Sequence, residues 1–202
     1  MSYVKQVNED NASGAIRRVF DASMARDGEI SELIRATSLD AKSTQAAHNL
    51  DTNLMKTKNA LTPERRALLG MVVGNANICY YTTFQYFKEY VEATGNKKLA
   101  EQVTLDYRKA ALEEGDRSLC DYAVKLTLQP GEMTADDIDA ARTGGNNDET
   151  IVVATQVISY INYTSRVANA LGVEPEVWMM EEPEDWLKRR AKDFLEAKGK
   201  KK

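Results

Sequence analysis

Cysteine chemistry is the first possibility that the residue types raise. Cys79 lies where a helix is predicted to begin, and the positive end of a helix dipole lowers the pKa of a thiol. A thiolate there could attack a peroxide bond if an external thiol reductant then resolved the oxidised sulfur. The alternative is that Cys79 is a small apolar residue of a helical core. Both interpretations remain open from the residues alone.

The second cysteine, Cys120, follows Leu119 in an amphipathic segment, which favours a packing role. Two cysteines are too few for a disulfide framework, so both should rest as thiols in a reducing compartment. Sequence spacing does not decide whether Cys79 and Cys120 can pair.

A run of neutral polar and aromatic side chains follows Cys79. It consists of Tyr80, Tyr81, Thr82, Thr83, Gln85 and Tyr86. All of these side chains can form hydrogen bonds, and none is charged at pH 7. A cavity lined by Tyr81, Thr82 and Tyr86 could therefore bind a small ligand without reacting with it. The alternative is that the tyrosines bridge the core and a subunit interface.

Few other residues suggest a reactive site. His48 is the single histidine, and its polar neighbourhood favours a surface or half-buried structural role. With one histidine and no carboxylates at ligand spacing, we predict no metal site and no cofactor. Glu64 falls in the first turn of a predicted helix, where an acid stabilises the helix dipole. A solvated first-turn acid is therefore the favoured interpretation, and Glu64 is kept as a further pocket candidate.

Apolar residues recur at helical spacing almost everywhere, which predicts an all-α protein. Thr62 and Pro63 mark the start of a helix that runs to Gly74 and is apolar enough to be buried on most sides. A break at 75–77 separates it from a second helix over 78–93, which Gly95 can close. Other helices are predicted over 16–24, 39–58, 96–114, from Asp116 to before Pro130, over 134–144, and over 150–171.

Two segments carry a resemblance to a known family. Segment 61–95 begins with Leu-Thr-Pro and places Cys79 at the start of its second helix. Segment 118–176 contains, in order, Tyr122 to Pro130, Thr134 to Gly144, Asn162 with Arg166, and Leu171 to Val173. In these residues the chain resembles the AhpD-like superfamily of alkylhydroperoxidases and carboxymuconolactone decarboxylases, and within it the peroxidase-related branch. The resemblance implies an AhpD-like helical bundle that forms a homo-oligomer.

The resemblance also implies where an active site would lie. The family pattern is Cys-x-x-Cys-x-x-x-His, in which the second cysteine attacks a hydroperoxide, the first resolves it, and a glutamate and the histidine move the proton. Cys79 matches the first cysteine, but Thr82 stands at the second, Tyr86 at the histidine and Ala67 at the glutamate. A threonine hydroxyl cannot reduce a peroxide by this route. Thiol-dependent hydroperoxide reduction, the antioxidant chemistry of the family, is therefore expected to be weak or lost.

Three functions are compatible with these residues. The first is a weak peroxiredoxin-type oxidoreductase that works through Cys79 alone and needs a thiol reductant. The second is a catalytically inactive scaffold that binds a small ligand or a protein partner. The third is an acid–base enzyme like the carboxymuconolactone decarboxylases, which would need a placed histidine or carboxylate. We rank it last because the helix after Cys79 offers neither.

Composition limits the partners and the location. The chain of 202 residues has 27 basic and 31 acidic side chains, a formal charge of −4, so nucleic acid is not an expected partner. No apolar run is long enough to span a membrane, and the N-terminal residues lack the features of a secretion signal. A cytoplasmic protein is the expectation.

The length suits one main domain. We predict an AhpD-like helical domain over 1–175, with the family core at 61–175, and a helical extension over 176–202. Trp186, Leu187, Ala191 and Phe194 would form one face of the extension's helix, packed on the body or on a second subunit. The basic tail, Lys198 and Lys200 to Lys202, is expected to be solvated.

Overall fold

The fold is all-helical, as the apolar spacing predicts. The computed structural model describes residues 2–179 and 182–192, and these contain α-helices, short 3₁₀ turns and one π-helix, with no β-strand. The α-helices are α1 Gly14–Asp27, α2 Glu32–Thr37, α3 Ala41–Asp51, α4 Pro63–Ala76, α5 Tyr80–Thr94, α6 Lys97–Asp106, α7 Glu114–Leu128, α8 Ala135–Thr143, α9 Asp148–Leu171 and α10 Pro183–Arg189. None of the helices in these ranges is long and apolar enough to cross a membrane.

Helix α4 is the centre of the core, as its continuous apolar sequence predicts. Every residue from Arg66 to Ala76 is buried, and α4 packs against α5, α6, α7 and α9. The contact with α5 is the tightest. A Cβ added at Gly70 would lie 2.1 Å from the Cγ atom of Tyr86, and one at Gly74 would lie 2.7 Å from the backbone nitrogen of Thr83. The two glycines therefore allow α5 to lie directly on the backbone of α4.

Most helix ends follow local signals that the sequence contains: Thr134 with Asp137 for a capping box, Gly95 and Gly172 as helix stops, and Asp116 and Asp148 as predicted N-caps. Thr134 and Asp137 form the expected capping box, and Gly95 and Gly172 end their helices in the left-handed conformation. Two predicted caps are wrong by one to three residues: Glu113, not Asp116, is the N-cap of α7, and Asn147, not Asp148, is the N-cap of α9.

Two predicted helices are shorter than expected. The predicted helix over 96–114 ends at Asp106, because the carboxylate of Asp106 accepts a hydrogen bond from the amide of Arg108 and starts a 3₁₀ turn. The predicted helix over 39–58 becomes α3 followed by the π-helix Thr52–Lys56. Arg66, buried in α4, donates to the carbonyl oxygens of Leu54 at 3.2 Å and Thr57 at 2.7 Å, and so holds this π-helix.

The C-terminal helix packs on the body of the same chain. Trp186 of α10 is fully buried, its indole N–H donates to the carbonyl oxygen of Thr104 at 3.0 Å, and its ring lies edge-on to Tyr80 and Phe84. Arg190 donates to the side chain and the carbonyl oxygen of Asn75. Leu187, predicted on the same face, is 40% exposed. Phe194 and the basic tail lie outside the described residues, and the division at 175 stays a prediction.

The turn between α4 and α5 contains a strained residue. Ile78 has a φ of 54°, a left-handed conformation that disfavours β-branched side chains, and it is 54% exposed. We expect Ile78→Asn to raise the free energy of unfolding by about 1 kcal/mol, because asparagine tolerates this conformation. Chemical denaturation measures the change. Val152→Asn, on the exposed face of α9, is the control and should shift stability by less than about 0.5 kcal/mol. A lower free energy of unfolding in Ile78→Asn than in the wild type would contradict backbone strain at Ile78.

Candidate functional site

A cavity of about 370 Å³ lies beside the α4–α5 contact. Its wall is formed by the end of α1, the following loop and α2 on one side, by α3 and Lys56 of the π-helix on another, and by α5 and α9. The volume is within the range of small-molecule sites in proteins. The cavity therefore has the size of a site for one small ligand.

The structure brings three of the predicted pocket residues together. Tyr81, Thr82 and Tyr86 all line the cavity on one face of α5. Glu64, in the first turn of α4, does not line it, and neither does any other residue of that helix. Cys79 does not line it either and lies behind Thr82. Ala67, at the position of the family glutamate, is buried in the main core.

Tyr86 is the buried hydrogen-bonding group of this cavity. Its side chain is 6% exposed and its ring lies against Gly70, so it cannot move towards α4. Among the described residues none forms a hydrogen bond with its hydroxyl. Burial, with the nearby charges of Asp51 and Glu89, raises the pKa of Tyr86 well above its ordinary value. Tyr86 is thus a neutral phenol available to a ligand.

Cys79 has a different environment from the one that a reactive thiol needs. It is the N-cap residue of α5 rather than part of its first turn, and it is fully buried. Its thiol donates a hydrogen bond to the Thr82 hydroxyl at 3.2 Å. Burial raises the pKa of Cys79, although hydrogen bonds from Thr82 oppose the shift. Burial therefore outweighs the lowering of the Cys79 pKa that was expected from the helix N-terminus.

Cys120 lies elsewhere in the core. It belongs to the main apolar cluster around α4 and is fully buried, whereas Cys79 packs in a separate cluster with Tyr81 and Ala168. Both are free thiols. Burial raises the pKa of Cys120 well above its usual range, and the nearby charges of Asp116 and Asp121 act in the same direction. Neither thiol is therefore set up to ionise near pH 7.

One side of the cavity is charged, which its residues did not indicate from their positions in the sequence. His48 and Asp51 of α3 line it, together with Arg26 of α1 and Tyr160 of α9. His48 is half-buried, and burial followed by the charge of Arg26 lowers its pKa, so the imidazole is neutral at pH 7. The signal in the sequence was the helical spacing of positions 44, 47, 48 and 51, which puts them on one face.

The basic groups of the cavity are ion-paired. Arg26 contacts Asp51 at 2.9 Å and Asp27 at 2.7 Å, and Lys56 contacts Glu89 at 3.0 Å. Lys88 lies 3.8 Å from Glu29 at the edge. Since the wall also contains Glu92, it has five carboxylates and three basic groups. Over residues 2–179 and 182–192, no three side chains of the metal-binding types group closely enough to hold an ion.

The matched segment downstream supports the turn before Cys79. Asn162 of α9 accepts a hydrogen bond from the side chain of Asn77 at 2.9 Å and donates to Thr127 of α7 at 3.0 Å. Arg166 in turn donates to Asn162. Asn162 and Arg166, which the resemblance singled out, therefore connect the α4–α5 turn to α9 and α7.

Solved structures identify the fold. The chain is similar to an AhpD-core, uncharacterised peroxidase-related protein from Ralstonia eutropha JMP134, with 20% identity over 90% of this chain and 96% of that chain and a TM-score of 0.83. It is also similar to an uncharacterised peroxidase-related protein from Silicibacter sp. TM1040, with 22% identity, 89% and 95% coverage and a TM-score of 0.78. The chain therefore has the AhpD-like fold, as the resemblance predicts.

A third similar structure has a ligand. It is the debrominase Bmp8, with 14% identity over 92% of this chain and 95% of that chain and a TM-score of 0.75, solved as a cysteine-to-alanine variant in complex with 2,3,4-tribromopyrrole. No protein-family model matches the chain, and no curated protein does. At these identities the likeness concerns the fold alone.

The contact between Gly70 and Tyr86 generates a prediction. We expect Gly70→Ala to lower the free energy of unfolding by about 2 kcal/mol, because the new methyl group would overlap the base of the Tyr86 ring. In a chain that already carries Tyr86→Ala, Gly70→Ala should lower the free energy of unfolding much less. Chemical denaturation of the wild type, the two single variants and the double variant measures this coupling. Gly131→Ala, which would add a methyl group in open space, is the control. Equal costs in both backgrounds would contradict the contact.

Proposed function

We propose that this chain binds a small organic molecule in the cavity beside α5 and does not reduce hydroperoxides through its cysteines. The observation that carries the proposal is Tyr86, which is 6% exposed in the wall of a cavity of about 370 Å³ and whose hydroxyl forms no hydrogen bond within residues 2–179 and 182–192. Thr82 lies beside it, so the positions that resemble the family's attacking cysteine and histidine present neutral hydroxyl groups.

The environment of the two thiols does not favour redox chemistry. Attack on a peroxide needs a thiolate that the peroxide can reach. Cys79 is fully buried behind Thr82, its hydrogen is donated to the Thr82 hydroxyl, and its pKa is raised. Cys120 is also fully buried and lies in another cluster of the core, so it offers no resolving thiol for Cys79.

The cavity argues for binding. An ordered site with aromatic walls and a few polar groups is typical of small-molecule recognition. Tyr81 is held by donating to Glu176 at 2.6 Å, and the Tyr86 ring is held against Gly70, so two side chains of the α5 wall are in place before a ligand enters. The debrominase with a similar fold, solved with 2,3,4-tribromopyrrole, supports a ring-bearing molecule as the class to test.

An acid–base enzyme is the second candidate. The structure brings a histidine and a carboxylate to the cavity, His48 and Asp51, which the helix after Cys79 did not offer. The neutral state of His48 would suit a general base. We rank it second because Asp51 is already ion-paired with Arg26 and so does not orient the imidazole.

Binding can be tested with ring-bearing probes. We expect ligand-observed NMR with phenol, indole and 2,3,4-tribromopyrrole to detect binding to the wild-type chain. Ala47→Trp, whose side chain would fill the cavity, should abolish it, whereas Ala46→Trp on the exposed neighbouring position should not. Tyr86→Phe should weaken it about tenfold through loss of a buried hydrogen bond. Equal binding to the two tryptophan variants would overturn the cavity as the site.

Reactivity with hydrogen peroxide tests the redox part. In the Cys120→Ser variant we expect Cys79 of the folded chain to react at least tenfold more slowly than in the chain unfolded by guanidinium, because the thiol is buried. Intact mass and a thiol-reactive probe follow the reaction. The probe rate should rise at a higher pH in the folded chain than in the unfolded chain, since burial raises the pKa of Cys79. Rapid formation of a sulfenate in the wild-type residue, absent from the Cys79→Ser variant, would instead support a peroxidase that works through Cys79 alone.

A further inference from the structure

The aromatic content of the cavity points to one class of ligand. Tyr81, Tyr86, Tyr160 and Tyr163 all belong to the wall. The face of a tyrosine ring carries partial negative charge and attracts cations, most strongly where water is excluded. The chain already has one such contact at the edge of the cavity, where the Lys88 ammonium lies 4.3 Å from the centre of the Trp178 ring.

The charged side chains of the wall also favour a cation. Five carboxylates and three basic groups line the cavity. Arg26 and Lys56 contact carboxylates at 3.0 Å or less, and each ion pair is close to neutral, but five carboxylates against three basic groups still leave the wall with more negative than positive charges. The remaining excess is negative, which favours a ligand of positive charge and disfavours a carboxylate or phosphate.

The electrostatic potential at the Tyr86 hydroxyl has the same sign as the negative charge in excess on the wall. Burial raises the pKa of the phenol most, and the nearby carboxylates Asp51 and Glu89 raise it further. A hydroxyl in a negative field interacts favourably with a cation, and its oxygen can also accept a hydrogen bond from an ammonium N–H. The same buried group that marks the cavity as a site therefore also indicates the sign of the ligand.

We infer that the cavity binds a small organic cation, such as an aryl or alkyl ammonium, between its tyrosine rings. The inference rests on the proposed function and adds the charge and chemical class of the ligand. A neutral ring-bearing molecule of the same shape is the main competitor, because it would use the aromatic walls without the charge.

Two ligands of the same shape separate these possibilities. (4-Hydroxyphenyl)trimethylammonium and 4-tert-butylphenol differ only in a nitrogen cation in place of a carbon. Calorimetric titration of the wild-type chain should give at least tenfold tighter binding of the cation, and this preference should fall as salt is added. Tyr86→Phe should weaken the binding of both ligands, because both lose their contact with the Tyr86 hydroxyl.

A charge variant tests the cause of the preference. Glu89→Gln should reduce the affinity for the cation at least threefold and leave 4-tert-butylphenol unchanged. Glu101→Gln, which removes an exposed carboxylate from a similar lysine pair on α6, is the matched control and should change neither affinity.

The outcomes distinguish the inference from the proposed function. Equal or tighter binding of 4-tert-butylphenol, abolished by Ala47→Trp, would overturn the cationic ligand while the binding function stands. Absence of binding by both ligands and by the ring-bearing probes would overturn both proposals. A cation preference that Glu89→Gln does not reduce would show that the cavity carboxylates are not its source, which also contradicts the inference.

Discussion

The close contact of α4 and α5 is the constraint on which the site depends. Gly70 and Gly74 lie one helical turn apart and leave no side chain between the helices, so Tyr86 and Thr83 rest directly on the backbone of α4. This contact sets the rotation of α5 about its own axis. It puts Tyr81, Thr82 and Tyr86 on the cavity side and Cys79 in the interior. Larger residues at the two glycines would separate the helices and displace the α5 wall of the cavity.

Burial then decides the chemistry of the groups that α5 carries. A thiol at a helix start can be reactive, but desolvation disfavours its charged form, and the pKa of Cys79 is raised on balance. The same burial keeps Tyr86 neutral. The AhpD-like fold thus presents hydrogen-bonding and aromatic groups of α5 at the cavity and keeps the thiol in the interior. Around these groups lie ion-paired basic side chains and an excess of carboxylates, which are the basis of the binding function that we propose.

Local signals in the sequence predicted the fold well and the site in part. The Thr62-Pro63 start, the apolar run of α4, the capping box at Thr134 and the terminal glycines define helices whose bounds depend on neighbouring residues. The polar face of α5 was visible for the same reason. His48, Asp51, Arg26 and Tyr160 were missed because they reach the cavity from α1, α3 and α9, and only long-range packing brings these helices together. The pKa direction of Cys79 depends on burial, which helix position alone does not give.

The most direct measurement is the chemical shift of the hydroxyl-bearing ring carbon of Tyr86 in a chain with ¹³C-labelled tyrosine, followed as (4-hydroxyphenyl)trimethylammonium is added. Tyr86→Phe assigns the signal. We expect Tyr86 to shift in a saturable way, while Tyr107, whose hydroxyl is bonded to Asp121 outside the cavity, stays unchanged. A ligand that saturates the chain and leaves the Tyr86 signal in place would contradict the cavity as the functional site.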